Sequence, residues 1–235
     1  MLTLVTGADT RKYFNYLKQN LNNVINVGKN KNIDIQIIVY NLGMSDDELN
    51  QIKSFEYVMV KNFDFNKYPE HVSLEKYYGV NCSYAWKPII IHEVCEEYGG
   101  LVHWMDTRNL YFDFNNLIKI LQENYIYTPT SSGSVQRWTY PTTLKYMNGS
   151  KYRNHQMRNA AVVGVNYDID WVKTFIKKWK DLALVKECIC PENSNRINHR
   201  QDQSVLTLLY YQYEELYKFK VLNDYVNFSI HNDLY

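Results

Sequence analysis

Short β-rich runs alternate with longer stretches of helical period through the first half of this chain, and that alternation limits the fold more than any other feature. "LTLVTG" closes at Gly7. The next stretch sets Phe14, Leu17, Leu21, Val24 and Ile25 on one helical stripe and is expected to stop at Gly28. "IDIQIIVYNLG" reads as a second strand, "SDDELNQIKSF" as a short helix with Ser45 as N-cap and Glu48 three residues on, and "YVMVKNFDF" as a third strand. In "SYAWKPIIIHEVCEEYGG", Pro88 belongs to a first turn. Ile90, Ile91, Val94, Cys95 and Tyr98 form the apolar face, and Gly99-Gly100 end the helix before "LVHWM", a fourth strand. Strands separated by helices need crossover connections. The expected fold class is therefore α/β: a mostly parallel central sheet, Rossmann-like, with helices on both faces.

At 235 residues one such domain accommodates the whole chain, since single cores grow to about 250 residues before chains divide. A single domain over residues 1–235 is expected. Lys and Arg number 26 against 25 Asp and Glu, so no net field draws the chain to nucleic acid, and any phosphate it binds must be handled locally. The opening MLTLVTGADT lacks the features of a signal peptide, and no apolar run reaches membrane-spanning length, which points to a soluble, cytoplasmic protein. Cys82, Cys95, Cys188 and Cys190 suit free thiols better than a disulfide framework or a zinc site.

Beyond residue 125 the period loosens. "YIYTPTSSGSVQRWTYPTTLKYMNGSKYRNHQ" reads as a short strand and a long functional loop, with Arg137, Trp138, Arg153, His155 and Arg158 in or beside it. "RNAAVVGVN" follows as a strand, then "DIDWVKTFIKKWKDLALVKE" and "DQSVLTLLYYQYEELYKF" as helices. In a parallel sheet, ligands gather beyond the carboxyl ends of the strands. Thr6, Gly7 and Asp9 end the first strand there, and Asp106, Thr107 and Arg108 end the fourth. A strand-end carboxylate without a Gly-rich phosphate loop suggests metal-assisted binding of a diphosphate. The plainer alternative is that Asp106 caps the turn after the strand and Arg108 pairs with it or with Asp113. His103 is expected to pack on one face of the sheet.

The motifs and their order resemble those of the GT-A glycosyltransferases, the nucleotide-diphospho-sugar transferases, over most of the chain. "HWMDTR" stands where that family carries Asp-x-Asp. "NAAVVG", from Asn159 to Gly164, matches an Asn-Ala-Gly-apolar strand apart from Ala161. "HRQDQSVL" looks like an Asp-Gln pair opening a helix, and "YAWKP" is familiar from small sugar-transferase-like families. The resemblance implies transfer of a hexose from a nucleotide sugar, a UDP-sugar first among them, to a hydroxyl of a glycan, protein or small acceptor. It implies nucleobase and ribose over Thr6, Gly7 and Asp9, and the diphosphate near Trp86, Lys87, Asp106, Thr107 and Arg108, with Asn159 beside it. It assigns catalysis on the sugar and acceptor side to Asp202 and Gln203, and a Mn²⁺ or Mg²⁺ ion to Asp106 and His231.

Arg108 departs from the motif: it replaces a second carboxylate with a cation that can itself bind phosphate. A metal-dependent enzyme, a metal-free enzyme and a non-catalytic sugar-nucleotide-binding or scaffold protein all remain open. A nucleotidyltransferase is disfavoured, because "LTLVTG" leads into no Gly-rich loop with Lys or Arg.

Overall fold

A computed structural model describes residues 1–10, 13–73 and 84–230. The strands β1 (Leu2–Ala8), β2 (Ile35–Asn41), β3 (Val58–Asn62) and β4 (Leu101–Met105) alternate with the helices α1 (Phe14–Lys31), α2 (Asp46–Lys53) and α3 (Trp86–Tyr98). β5 (Leu110–Tyr111), α4 (Asn115–Glu123), β6 (Ile126–Tyr127) and β7 (Thr130–Ser134) come next. They lead to α5 (Val135–Trp138), α6 (Pro141–Tyr146), β8 (Gln156–Arg158) and β9 (Val162–Asn166). The chain continues through α7 (Asp170–Ala183), α8 (Lys186–Ile189), α9 (Gln201–Tyr217) and β10 (Phe228–Ser229).

The main sheet runs β3-β2-β1-β4-β9-β6. The first four strands are parallel neighbours, and β9 lies antiparallel to both β4 and β6. Successive residues of a strand point to opposite faces, so the buried strands need apolar side chains at every position. Leu4, Ile37, Val39 and Met105 pack with α1 and α4 on one face; Val5, Ile38, Val102 and Trp104 pack with α3, α7 and α9 on the other. The mostly parallel α/β sheet with helices on both faces is the expected fold class.

Local signals operate largely as read. Ser45 and Glu48 close a reciprocal capping box on α2, and Gly99 and Gly100 both adopt positive φ at the end of α3. Gly28 does not end α1. The helix continues to Lys31 and is capped by Asn32 in the left-handed region. A Cβ on Gly28 would lie 2.7 Å from Ile35 Cδ1, so this glycine serves the packing of helix on strand. The stretch after residue 125 is also more ordered than expected. β7 and β8 pair as an antiparallel ribbon around α5 and α6. These elements are too short to show a period in sequence.

Cys95, Cys188 and Cys190 are free and buried; Cys82 lies outside the described residues. Among the described residues, no helix is long and apolar enough to cross a membrane.

Candidate functional site

A cleft of about 330 Å³ opens at the carboxyl ends of β1 and β4, a size within the range of small-molecule sites, roughly 300–1,000 Å³. β1 contributes Gly7, Ala8 and Asp9 to its wall, and the turn after β4 contributes Asp106, Thr107 and Arg108. The first turn of α3 contributes Trp86 and Lys87. The residues entering α9 contribute Arg196, Arg200, Gln201, Asp202 and Gln203. Asn159 to Ala161 and Ser131 and Ser132 complete it. Thr6 is fully buried inside β1 and is not part of this wall.

The turn that carries Asp106 is held from two sides by three hydrogen bonds. Asp106 N–H donates to Ala161 O at 3.0 Å, and Asn109 Nδ2 donates to the same carbonyl at 2.8 Å. Asn20 on α1 donates to Asn109 O at 2.7 Å. The "NAAVV" segment is thus the partner that fixes the strand-end carboxylate, and Asn109, fully buried, is a part of the site that sequence reasoning did not single out. Both ends of the Asn159 amide are engaged within the protein: Nδ2 donates to Tyr225 Oη, and Oδ1 accepts from Ala161 N–H.

At the base of the cleft Lys87, 5% exposed, places Nζ 3.2 Å from Asp106 Oδ1 and 3.2 Å from Asp202 Oδ2. Nζ also donates to Ala160 O at 3.2 Å. Trp104 Nε1 donates to Asp106 Oδ1 at 2.7 Å. Burial opposes the Lys87 charge, but the carboxylates of Asp106 and Asp202 outweigh it and hold its pKa above the ordinary lysine value. For Asp202 burial is the larger influence. Its carboxyl is raised above the usual carboxylate range, with Lys87 pulling the other way.

Gln201, immediately before Asp202, has φ of +41°. A non-glycine residue held in that region costs on the order of 1–3 kcal/mol and recurs at functional sites. Here it sets the first turn of α9 so that Asp202 faces Lys87.

The described residues around Asp106 show no complete donor set for a divalent ion. Among the described residues, no group of three or more His, Cys, Asp or Glu side chains is placed to hold a metal, and Oδ1 of Asp106 is already shared by an ammonium and an indole N–H. His231, the other expected ligand, lies outside the described residues.

Solved structures of similar architecture come from sugar transferases. The galactosyltransferase LgtC, determined with donor and acceptor sugar analogs, is 17% identical at a TM-score of 0.57, covering 89% of this chain and 70% of its own. Core-mannan synthase A (CmsA/Ktr4) from Aspergillus fumigatus, in a Mn/GDP form, is 8% identical at a TM-score of 0.57, covering 88% of this chain and 68% of its own. The chain has a GT-A fold. Mouse xyloside xylosyltransferase 1 has the same architecture at 10% identity and a TM-score of 0.52, covering 91% of this chain and 83% of its own. A family model described as "Protein of unknown function (DUF1647)" matches residues 3–92, and no curated protein matches.

In this GT-A frame Gly7, Asp9, Trp86, Lys87, Asp106, Thr107, Arg108, Asn159, Asp202 and Gln203 converge on one cleft. The charged residues in or beside the loop after residue 125 lie elsewhere. Arg158 is fully buried: its guanidinium reaches the carbonyls of Thr128 and Leu222, donates to Asn223 Oδ1 and stacks on Tyr210, so it makes no acceptor surface. Arg137, Arg153 and His155 are exposed and stand outside the cleft wall. Arg196 and Arg200 were missed, because they sit in a polar segment without period. Arg196 donates to Tyr84 Oη at 2.7 Å and Arg200 stacks 4.0 Å from the Trp138 ring.

Proposed function

We propose that this chain is a glycosyltransferase acting as one catalytic unit. It moves a hexose from a nucleotide diphosphate sugar, a UDP-sugar first among the candidates, to an acceptor hydroxyl. The observation that carries the reading is the Lys87–Asp106–Asp202 cluster in the cleft at the strand ends of a GT-A fold. Two carboxylates brought from residues 106 and 202 onto one buried ammonium are costly to assemble unless the site uses them.

In the reaction, the bond from the anomeric carbon to the β-phosphate oxygen breaks and its electron pair stays with the diphosphate. The acceptor oxygen forms the new bond and loses its proton. Gly7 and Asp9 line the nucleoside end. Asp202 serves the sugar and acceptor side, opposing positive charge at the anomeric carbon or taking the hydroxyl proton, with Gln203 beside it. Lys87 attracts both Asp106 and Asp202, offsets their mutual repulsion and fixes their direction, which is the preorganisation such a step requires.

One observation favours a second reading, a sugar-nucleotide-binding protein without catalysis: the same lysine that orients both carboxylates also engages an oxygen of each. The two separate on turnover. UDP-glucose and UDP-galactose are incubated with candidate acceptors and UDP release is followed. A wild-type rate abolished in Asp202→Asn supports transfer, and a rate equal to that of Asp202→Asn leaves binding alone.

A further inference from the structure

We propose that the donor diphosphate is neutralised in this cleft by guanidinium groups, Arg108 with Arg196 and Arg200, and that nucleotide binding needs no divalent cation. The inference rests on the donor-site reading above and deepens it.

The position between the strand-end carboxylate and Asp202 is held by Lys87 Nζ, 3.2 Å from an oxygen of each. A hard divalent cation takes oxygen ligands at roughly 2.0–2.6 Å. To share these two oxygens it would have to displace a buried ammonium that each of them holds. Lys87 lies in the first turn of α3, is buried, and its Nζ is flanked by the Trp104 and Tyr84 rings at 5.6 and 5.5 Å from their centroids.

The charge of the wall points the same way. The wall carries Lys87, Arg108, Arg196 and Arg200 against Asp9, Asp106 and Asp202, a formal excess of one positive charge. That surplus of positive charge suits a diphosphate and opposes a dication. Arg108 is presented for this purpose by its own strand end. It follows the fixed carboxylate by two residues, and its guanidinium lies over the Tyr16 ring at 5.2 Å. Arg196 and Arg200 arrive from a different segment, so phosphate oxygens between them would be met from more than one direction. The planar guanidinium suits two phosphate oxygens at once.

Calorimetric titration of the full chain with UDP and with GDP, each in EDTA and in Mn²⁺, tests this. The expected result is an affinity that agrees between the two conditions within about twofold, and that falls roughly tenfold to a hundredfold in Arg108→Ala, the effect of losing a charged hydrogen-bonding group. Mn²⁺ strengthening wild-type binding tenfold or more overturns the inference and leaves the donor-site reading standing. Unchanged affinity in both Arg108→Ala and Arg200→Ala also overturns it. Binding of neither nucleotide in either condition overturns both readings together. The wild-type comparison requires no variant, and the melting temperature without ligand shows whether each variant is folded.

Discussion

Lys87 Nζ and Asp202 Oδ2 stand 3.2 Å apart with both side chains 6% exposed, though no segment of the sequence brings positions 87 and 202 near each other. The same ammonium is 3.2 Å from Asp106 Oδ1. Removing one member of a buried charge cluster leaves the others uncompensated, which costs about 3–5 kcal/mol. Lys87→Met is expected to lose that much stability in urea denaturation. Adding Asp202→Asn to it should restore part of the loss without restoring transfer. A Lys87→Met chain as stable as wild type would show that the cluster is not the fixed unit described here.

In the proposed reaction, Asp202 is expected to give a pH signature. Burial holds its carboxyl above the ordinary carboxylate range, so it protonates at higher pH than an exposed aspartate would. If the ionised form does the work, kcat/KM falls on the acid side, at a pH above the usual carboxylate value. Lys87 favours the ionised form, so its loss moves that acid limb to higher pH. A pH–rate profile of wild type and Lys87→Met, taken on the fraction that remains folded, is the measurement. Coincident acid limbs would separate Asp202 from the rate-determining ionisation.

The fold was legible because strand and helix periods are long in the first hundred residues and each helix stop is chemical, as at Gly99-Gly100. Gly28 shows the limit of that method: a glycine that makes room for Ile35 and a glycine that ends a helix look alike in sequence. For the site, Asp106 was legible as the end of a buried strand, and Lys87 and Asp202 as residues opening helices. Their meeting was not, because it depends on how α3 and α9 pack on one face of the sheet. Arg196 and Arg200 carried no signal, as charged residues in a polar loop are ordinarily solvated. Arg158 carried a misleading one. It reads as part of, or beside, a functional loop rich in Ser and Thr, whereas it is a buried tie between β8 and the returning chain.

That tie is expected to be structural. The Arg158 guanidinium gathers Thr128 O, Leu222 O and Asn223 Oδ1, holding the segment after α9 against the sheet edge. Replacing it with methionine keeps much of the volume and strands the buried carbonyl of Thr128 and the part-buried one of Leu222; a buried acceptor left unpaired costs about 1–3 kcal/mol. Arg158→Met should destabilise the fold by about that amount or more and speed amide exchange across residues 219–228 before the rest of the molecule. Uniform exchange across the chain would mean that the segment is held by other contacts.

His199 ties the arginine-bearing segment to the body of the protein, and it does so as a neutral ring. Its Nδ1 accepts from Tyr140 N–H at 3.2 Å and its Nε2–H donates to Ile189 O at 3.0 Å, a tautomer set by those two partners. Burial pushes its pKa down to about 4, and burial likewise lowers that of His103 to about 3. A histidine in the unfolded chain titrates near 6.5. Because the folded value is the lower one, protonation favours unfolding. The stabilisation from the neutral ring is fully present above about pH 6.5 and is lost as pH falls toward 4, amounting to roughly 3 kcal/mol for His199. Urea midpoints measured from pH 7 to pH 4 should fall steeply in wild type and less steeply in His199→Gln, by up to about 1.4 kcal/mol per pH unit, the slope of one proton. Carboxylates contribute equally to both proteins, so the difference isolates the ring. Parallel slopes would mean that His199 does not enter the fold as the neutral tautomer.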